Sequence, residues 1–443
     1  MTSVNLSAFR VGVAGLGTVG TSVLHLLTRR ADAIAQTCAR PVVVTAVSSR
    51  SRGKNRGLNV NDYAWFDDPV KLAQSSDVDC VVELIGGSDG VAKAVVEAAL
   101  EAGKHVVTAN KALLAKHGMA LARLAENKGV ALAFEASAAG GIPIVKTLRE
   151  SLTGNTISRI SGILNGTCNY ILSRMELEGL TFEACLSDAQ RLGYAEADPT
   201  FDVGGFDTAH KLALLTSLAF GTEIDADSIY VEGISSITPL DLKMADELGF
   251  RIKLLGVAER TKTGIEQRVH PTMVHKSTPL AQVMGVLNAV TIDADAVNEL
   301  TLVGPGAGGD ATASSVVADI TDIAKGRSGA TFGFASQAML SSEQAPMRRH
   351  EGGYYVRLSV YDRPGAAASI VNRMAEGQIS IESISQKRPN AVPNDQFGRS
   401  GTVVPVVLTT YATTEEAIRA VLEKVMGDGF VAEAAQLIRI ERD

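Results

Sequence analysis

Arg10-Val-Gly-Val-Ala-Gly-Leu-Gly-Thr-Val-Gly20 decides the fold of this 443-residue chain. Residues 10–14 are a short apolar strand, Gly15-x-Gly17-x-x-Gly20 follows at once, and 21–30 continue with the apolar spacing of a helix. Glycines at such a strand-to-helix turn have separate jobs: one allows the tight turn, one lets a pyrophosphate approach the backbone, and one lets the helix pack closely. The open N–H groups of the helix start, around Thr18 and Val19, favour a phosphate there. An ordinary glycine-rich turn carries the same letters, but the strand before it and the helix after it favour dinucleotide binding by Gly15, Gly17, Thr18, Val19 and Gly20.

Outward from this turn, strand and helix patterns alternate. Residues 41–48, 79–85, 105–109 and 130–134 read as strands, 89–102 and 111–128 as helices, and 51–61 as a loop rich in Gly, Asn and Arg. That alternation predicts an α/β unit over 1–140, a Rossmann-type parallel sheet with helices on both faces. From 141 to 325 the pattern becomes α+β, with a strand at 157–163, helices at 142–150, 169–178, 182–192 and 206–220, and further strands at 230–234, 251–259, 267–272 and 289–293. Gly304-Pro-Gly-Ala-Gly-Gly309 breaks regular structure, and the helix at 311–325 is expected to return to the first unit, so that 304–325 belongs with the nucleotide domain. Residues 326–350 read as a linker. Residues 351–443 give strand, helix, strand, strand, helix and strand, the order of a small ferredoxin-like domain, with Asp362-Arg-Pro-Gly365 as its first turn.

Composition narrows the function. Apolar residues are 46% and charged residues 21%, enough for folded cores and unlike a disordered chain. Lys and Arg number 42 against 49 Asp and Glu, and no long basic run exists, so a nucleic acid has no stripe to bind. Four cysteines without paired-ligand spacing argue against a disulfide framework and a structural zinc site. No apolar stretch nears the roughly 20 residues that cross a bilayer. Residues 1–10 hold no export pattern, and the expected location is the cytoplasm.

Three places carry chemistry. The end of the second strand lacks the carboxylate that would bind an NAD ribose and reads Ser48-Ser-Arg50-Ser-Arg52, with Lys54 and Arg56 beyond. Hydroxyls and guanidinium forks suit a 2′-phosphate, which favours NADP while leaving NAD or dual use open. Gly193-Tyr-Ala-Glu196-Ala-Asp198-Pro-Thr-Phe-Asp202 runs on to Asp207 and Lys211, which share one helix face four residues apart. The pair is either a surface salt bridge or, beside so apolar a helix, a buried acid/base pair. Lys111 ends a strand at Thr108-Ala-Asn110, where ligands of open α/β sheets bind, although a helix-start surface lysine reads the same way. Asn165-Gly-Thr-Cys-Asn169 offers polar groups for a pocket, with Cys168 reading as a small buried apolar residue.

Taken together, Gly15 to Gly20, Ala109-Asn-Lys111, Ile163 to Asn169 and Gly193 to Lys211 closely resemble the homoserine dehydrogenase family over residues 10 to 325. The unit from 351 resembles the amino-acid-binding ACT domain. The resemblance implies interconversion of L-homoserine and L-aspartate 4-semialdehyde with NADP or NAD. It also implies Glu196 on the substrate amino group, Gly193 and Asp207 beside the substrate, Lys211 as proton donor, and Lys111 as a second active-site lysine. A sodium-like monovalent ion is implied at Glu135, Ala138, Gly140 and Ile142, where Glu135 could equally cap the loop, and Gly306 is implied near the cofactor. Threonine as a regulator and a homo-oligomer, dimer or tetramer, complete what the resemblance implies. A different NADP-dependent oxidoreductase, or a sensor with a retired active site, are the competing readings, and the intact Glu196 to Lys211 arrangement speaks against both.

Overall fold

The computed structural model describes residues 7–341, 343–347, 350–386 and 402–441. The first sheet is formed by β1 (Phe9–Ala14), β2 (Val42–Ser48), β3 (Ala64–Phe66), β4 (Cys80–Glu83), β5 (His105–Thr108) and β6 (Leu132–Ala133), ordered β3-β2-β1-β4-β5-β6 with every pairing parallel. The chain steps outward from β1 to β3, then returns to β4 on the other side. The order therefore reverses between β1 and β4, and a crevice opens beyond their carboxyl ends. Val11, Val13, Val81 and Val82 are fully buried because helices cover both faces. The helix Gly309–Ala324 lies against Thr18–Arg29, and its Ala313, Val316 and Ile320 share one core with Val11, Val13, Val23 and Leu24. β3 and the helix Pro69–Gln74 had no counterpart in the sequence reading, being too short to display a period.

The second sheet draws on β7 (Ile157–Ile163), β8 (Tyr230–Val231), β9 (Phe250–Thr261), β10 (Gly264–His275), β11 (Leu287–Ala294) and β12 (Asn298–Pro305). It continues through β13 (Glu351–Tyr361), β14 (Ile381–Gln386), β15 (Val403–Thr410), β16 (Thr413–Thr414) and β17 (Gln436–Ile440). Its path is β12-β11-β7-β9-β10-β17-β13-β15-β14, with β8 on β10 and β16 on β13. β12 takes in Gly304 and Pro305, so only Gly306 to Gly308 of the glycine-rich run form a loop before the helix. The capped helix Pro239–Glu247 is a further element that the sequence reading left unassigned.

Residues 351–443, expected as a separate small domain, do show the order β13, helix Ala366–Glu376, β14, β15, helix Glu415–Gly427 and β17. They do not stand alone. β17 pairs in parallel with β10 through Thr272–Arg439 and Met273–Ile440, making one sheet of eleven strands from two expected domains. The physical reason lies in β17, whose five residues are all buried and which would otherwise leave an open strand edge. Side chains reinforce the join: Asp241 Oδ1 accepts from the Tyr355 hydroxyl at 2.9 Å and from Arg357 Nε at 2.7 Å, while Arg439 binds Glu232 from the 141–325 unit and Glu415 from its own. The sequence predicts the second strand of this unit over 379–387, and its expected end at Lys387 lies outside the described residues.

The 326–350 segment also differs from a loose linker. Phe332 is fully buried with its ring tilted against that of Phe134 at 5.1 Å between centroids, and the backbone of Leu340 and Gln344 bridges to Thr222 and Ile265. Ser336 donates its N–H and hydroxyl to Glu126. Its few apolar residues make it a fixed strap, although residues 342, 348 and 349 lie outside the described set. No helix among the described residues is long and apolar enough to cross a membrane.

Candidate active site

The glycine turn is built as its spacing requires. Gly15 has a φ of 108°, and a Cβ there would lie 2.4 Å from the Leu84 carbonyl oxygen; one on Gly20 would lie 2.0 Å from that of Gly15. Gly17 faces open space, so the middle glycine is the one that leaves the backbone accessible. Ser48 is buried beneath the turn and serves it through its carbonyl, which accepts the Gly15 N–H at 2.9 Å, instead of presenting a surface hydroxyl. Arg50 is exposed, and Arg52 donates to Asn61 Oδ1 at 3.2 Å and lies over the Trp65 ring. The arginine that organises this loop is Arg56, which is buried and donates to the carbonyls of Leu16, Lys54 and Ser51 and to Ser49 Oγ. Nothing in its sequence context marks that role.

Lys111 is placed by Asn110, which caps the helix Lys111–Lys128 through Leu113 N–H and is itself tied to the Gly87 carbonyl at 2.7 Å. Asp207 and Lys211 sit on successive turns of Phe206–Phe220, with Asp207 in the first turn, where the helix end favours a carboxylate. The three groups meet. Asp207 Oδ2 accepts from Lys211 Nζ at 2.8 Å, and Asp207 Oδ1 pairs with Lys111 Nζ at 3.1 Å. Asn165, the cap of Gly166–Glu178, donates to Asp207 Oδ2 at 2.9 Å and to Asp202 Oδ1 at 2.8 Å.

Burial alone would push the Asp207 carboxyl up, but the two ammonium groups and the amide outweigh it and hold it well below the usual carboxylate range. Asp202 is pushed up by burial, which outweighs the Asn165 amide and the more distant charges of Lys211 and Lys111. Lys211 spends two of its three protons on Asp207 and on the Leu164 carbonyl at 2.7 Å, leaving one for the cavity.

That cavity, of about 650 Å³, is lined by Val19 from the glycine turn, by Lys111, Asp207 and Lys211, by Gly193 and Glu196, and by Gly140 and Gly306. Glu196 is exposed on its wall, and Gln190 fastens the Glu196 carbonyl at 3.0 Å. Asn165 and Asp202 also line it, the first as the polar pocket residue the sequence reading offered and the second as a carboxylate of the 193–211 stretch; the bond between them was not foreseen.

Glu135, Ala138 and Ile142 lie behind the cavity and are buried. The Glu135 carboxylate caps a turn, accepting the N–H groups of Val145 at 2.8 Å and Lys146 at 2.9 Å. The Gly140 carbonyl accepts Ser315 Oγ at 2.7 Å and that of Ile142 the N–H of Ile144 at 2.8 Å, so each keeps a second lone pair. Among the described residues no cluster of three His, Cys, Asp or Glu side chains suits a metal.

Known proteins place this geometry. Residues 15–135 match the homoserine dehydrogenase NAD-binding family and 143–321 the homoserine dehydrogenase family. A homoserine dehydrogenase of Pseudomonas aeruginosa is 43% identical over 442 residues, covering 98% of this chain and 99% of that protein.

The chain belongs to the homoserine dehydrogenase family.

Like other homoserine dehydrogenases it is an NAD(P)-dependent oxidoreductase. The crystal structure of a homoserine dehydrogenase from Thiobacillus denitrificans superposes with a TM-score of 0.91 at 40% identity, each chain covered to 99%. A hyperthermophilic archaeal homoserine dehydrogenase, solved in complex with NADPH, is 25% identical with a TM-score of 0.60, over 74% of this chain and 98% of that one. The first homoserine dehydrogenase match contains the glycine turn and Lys111, the second Asn165, Glu196, Asp207, Lys211 and Gly306.

Proposed function

We propose that this enzyme interconverts L-homoserine and L-aspartate 4-semialdehyde, with Lys211 as the proton carrier. One observation carries the reading: the Lys111–Asp207–Lys211 chain opens into the same cavity as Val19, Gly306 and Glu196. A nicotinamide held at the glycine turn and Gly306 would supply the hydride for the aldehyde carbon, or accept it from the alcohol in reverse. Lys211 Nζ then stabilises the oxygen and passes it a proton; in the oxidation it receives that proton back. Asp207 orients both ammonium groups, and Lys111 adds positive charge beside the reacting oxygen. Glu196 binds the substrate ammonium, and Gly193 lets the wall turn there with a φ of 78°.

NADP is favoured over NAD because the loop after β2 offers Arg50 and Arg52 and no carboxylate, with Arg56 holding it against the glycine turn. The archaeal relative with NADPH supports that choice. Gly15, Gly17 and Gly20, with the N–H groups of Thr18 and Val19, take the pyrophosphate. A monovalent cation fits the backbone carbonyls of Ala138, Gly140 and Ile142 beside Glu135, and replacing sodium by a bulky organic cation is expected to lower activity. The C-terminal unit acts as an ACT-type sensor of threonine, and the chain works as a homo-oligomer, dimer or tetramer, which sedimentation distinguishes.

The test is nicotinamide absorbance during incubation with L-homoserine, with NADP and NAD compared. Homoserine-dependent reduction that is faster with NADP is the expected result. No turnover in either direction, with L-aspartate 4-semialdehyde supplied for the reverse, overturns the proposal.

A further inference from the structure

Asn288 is fully buried, and both polar atoms of its side chain, Oδ1 and Nδ2, lack a hydrogen-bond partner; no other described residue has two such atoms. A buried donor and acceptor left unmade carry their whole desolvation penalty, so a side chain like this needs an explanation. Its position is held firmly. Asn169 Nδ2 ties the carbonyls of Val283 at 3.2 Å and Leu287 at 3.1 Å, Lys253 Nζ donates to the Val283 carbonyl at 2.6 Å, and the Gly285 N–H donates to Ser173 Oγ at 3.0 Å.

The carboxamide lies flat against Gly306. A Cβ there would sit 2.0 Å from Asn288 Cγ and Nδ2, and one on Gly166 would sit 3.5 Å from Oδ1. Both glycines line the cavity that holds Lys111 and Lys211. A paired donor and acceptor therefore stand directly behind a part of the wall that has no side chains.

We propose that Asn288 is a cofactor-binding residue whose carboxamide pairs with the nicotinamide carboxamide, one group donating and accepting against the other. The inference rests on the reading above that a nicotinamide dinucleotide fills this cavity. A primary carboxamide matches what Asn288 lacks, whereas a carboxylate only accepts and an ammonium only donates. Contact needs the backbone at Gly306 to move off the amide, and no side chain there obstructs it. On this reading the cofactor carboxamide supplies the donor and the acceptor that the Asn288 side chain lacks.

The test is calorimetric titration of the full chain with NADP and with its 3-acetylpyridine analogue, whose methyl ketone keeps the acceptor and loses the donor. Wild type is expected to bind the analogue at least about tenfold more weakly. Asn288→Leu, of similar shape without polar atoms, is expected to bind the two within about twofold, and its ligand-free Tm should equal or exceed wild type because two unsatisfied groups are gone. Asn288→Ala gives the same ratio readout should the leucine variant fail to fold. An unchanged ratio in the variants would assign Asn288 to packing alone and overturn the proposal. A raised KM for homoserine with the ratio intact would place the amide on the substrate and overturn it equally. Failure of wild type to bind either dinucleotide defeats the cofactor reading itself, a result visible before any variant is made.

Discussion

Asp207 is a carboxylate in a nearly dry place, with an ammonium on each oxygen. Removing either lysine leaves the other paired, so the two can be separated by mutation. Lys211→Ala is expected to lower kcat by about 100-fold or more, the range of a lost general acid, while the Kd for NADP stays within about twofold of wild type. Glu196→Ala is expected to raise the KM for homoserine by roughly tenfold or more, since a charged partner of the substrate is lost, with kcat less affected. Fluorescence titration of the cofactor checks both; a comparable loss of cofactor binding in the two variants contradicts this division of roles. Asp207 and Lys211 were legible in the sequence because a helix repeats every 3.6 residues and sets positions four apart on one face. Asn165 was legible as a pocket residue but its bond to Asp207 was not, because that bond spans 42 residues of chain and depends on how two helix starts face each other. Arg56 was read only as one more basic residue of the loop, since its bond to the Leu16 carbonyl reaches across 40 residues of chain.

At the scale of elements, the helix Gly309–Ala324 is fastened to the loop behind the site by Asp319, whose Oδ2 accepts the Glu135 N–H at 2.8 Å. Burial, and then the charge of Glu135, push the Asp319 carboxyl up to about 7. A carboxyl raised in this way keeps its proton in the folded state where the unfolded chain has lost it. Its effect is absent below the ordinary carboxylate range near about pH 4, and stability then falls as pH rises towards 7. Asp319→Asn keeps an acceptor for Glu135 and has no proton to lose, so the fall in Tm between about pH 5 and pH 8 is expected to flatten. Calorimetry of both proteins decides it, and equal slopes would show that Asp319 is not the group responsible.

The long helices 111–128 and 206–220 and the strand 157–163 were read from the sequence to the residue, since their periods run through several turns or alternations. β3, β12 and the helix Pro239–Glu247 escaped, being short or spread over mixed residues that only their neighbours make apolar enough.

For the whole molecule, the sequence reading recovered the element order of the C-terminal unit and missed what that unit joins. Pairing between β10 and β17 joins residues more than 160 positions apart, and nothing local in either strand declares it. Arg439 closes this join with a side chain that is 1% exposed, bound to Glu232 on one side and Glu415 on the other. Arg439→Ala leaves Glu415 buried without that partner and is expected to cost about 3–5 kcal/mol, read as a fall in Tm of the full chain; a Tm shift under a degree or so would show the join to rest on the strands alone. The regulatory proposal belongs to this scale as well. Asp362→Ala, in the turn before the helix Ala366–Glu376, is expected to raise the threonine concentration for half-inhibition at least about fivefold with uninhibited kcat unchanged. Identical inhibition curves contradict a sensor at that turn.

Among the described residues the seam between the two parts of the sheet is two residue pairs long, beside twelve pairs in the β9–β10 hairpin. In mechanical terms it is a perforation in otherwise continuous cloth. Load applied at the distal edge, by a ligand or by a second chain, reaches β10 through Thr272 and Met273, through the core that Tyr355, Ile438 and Ile440 share with Val269 and Met273, and through the charged side chains that bridge the same gap. Small shear there is absorbed locally or passed to β10 and β9 depending on whether those bridges hold, which makes the narrowest part of the sheet the place where the two halves either move together or come apart.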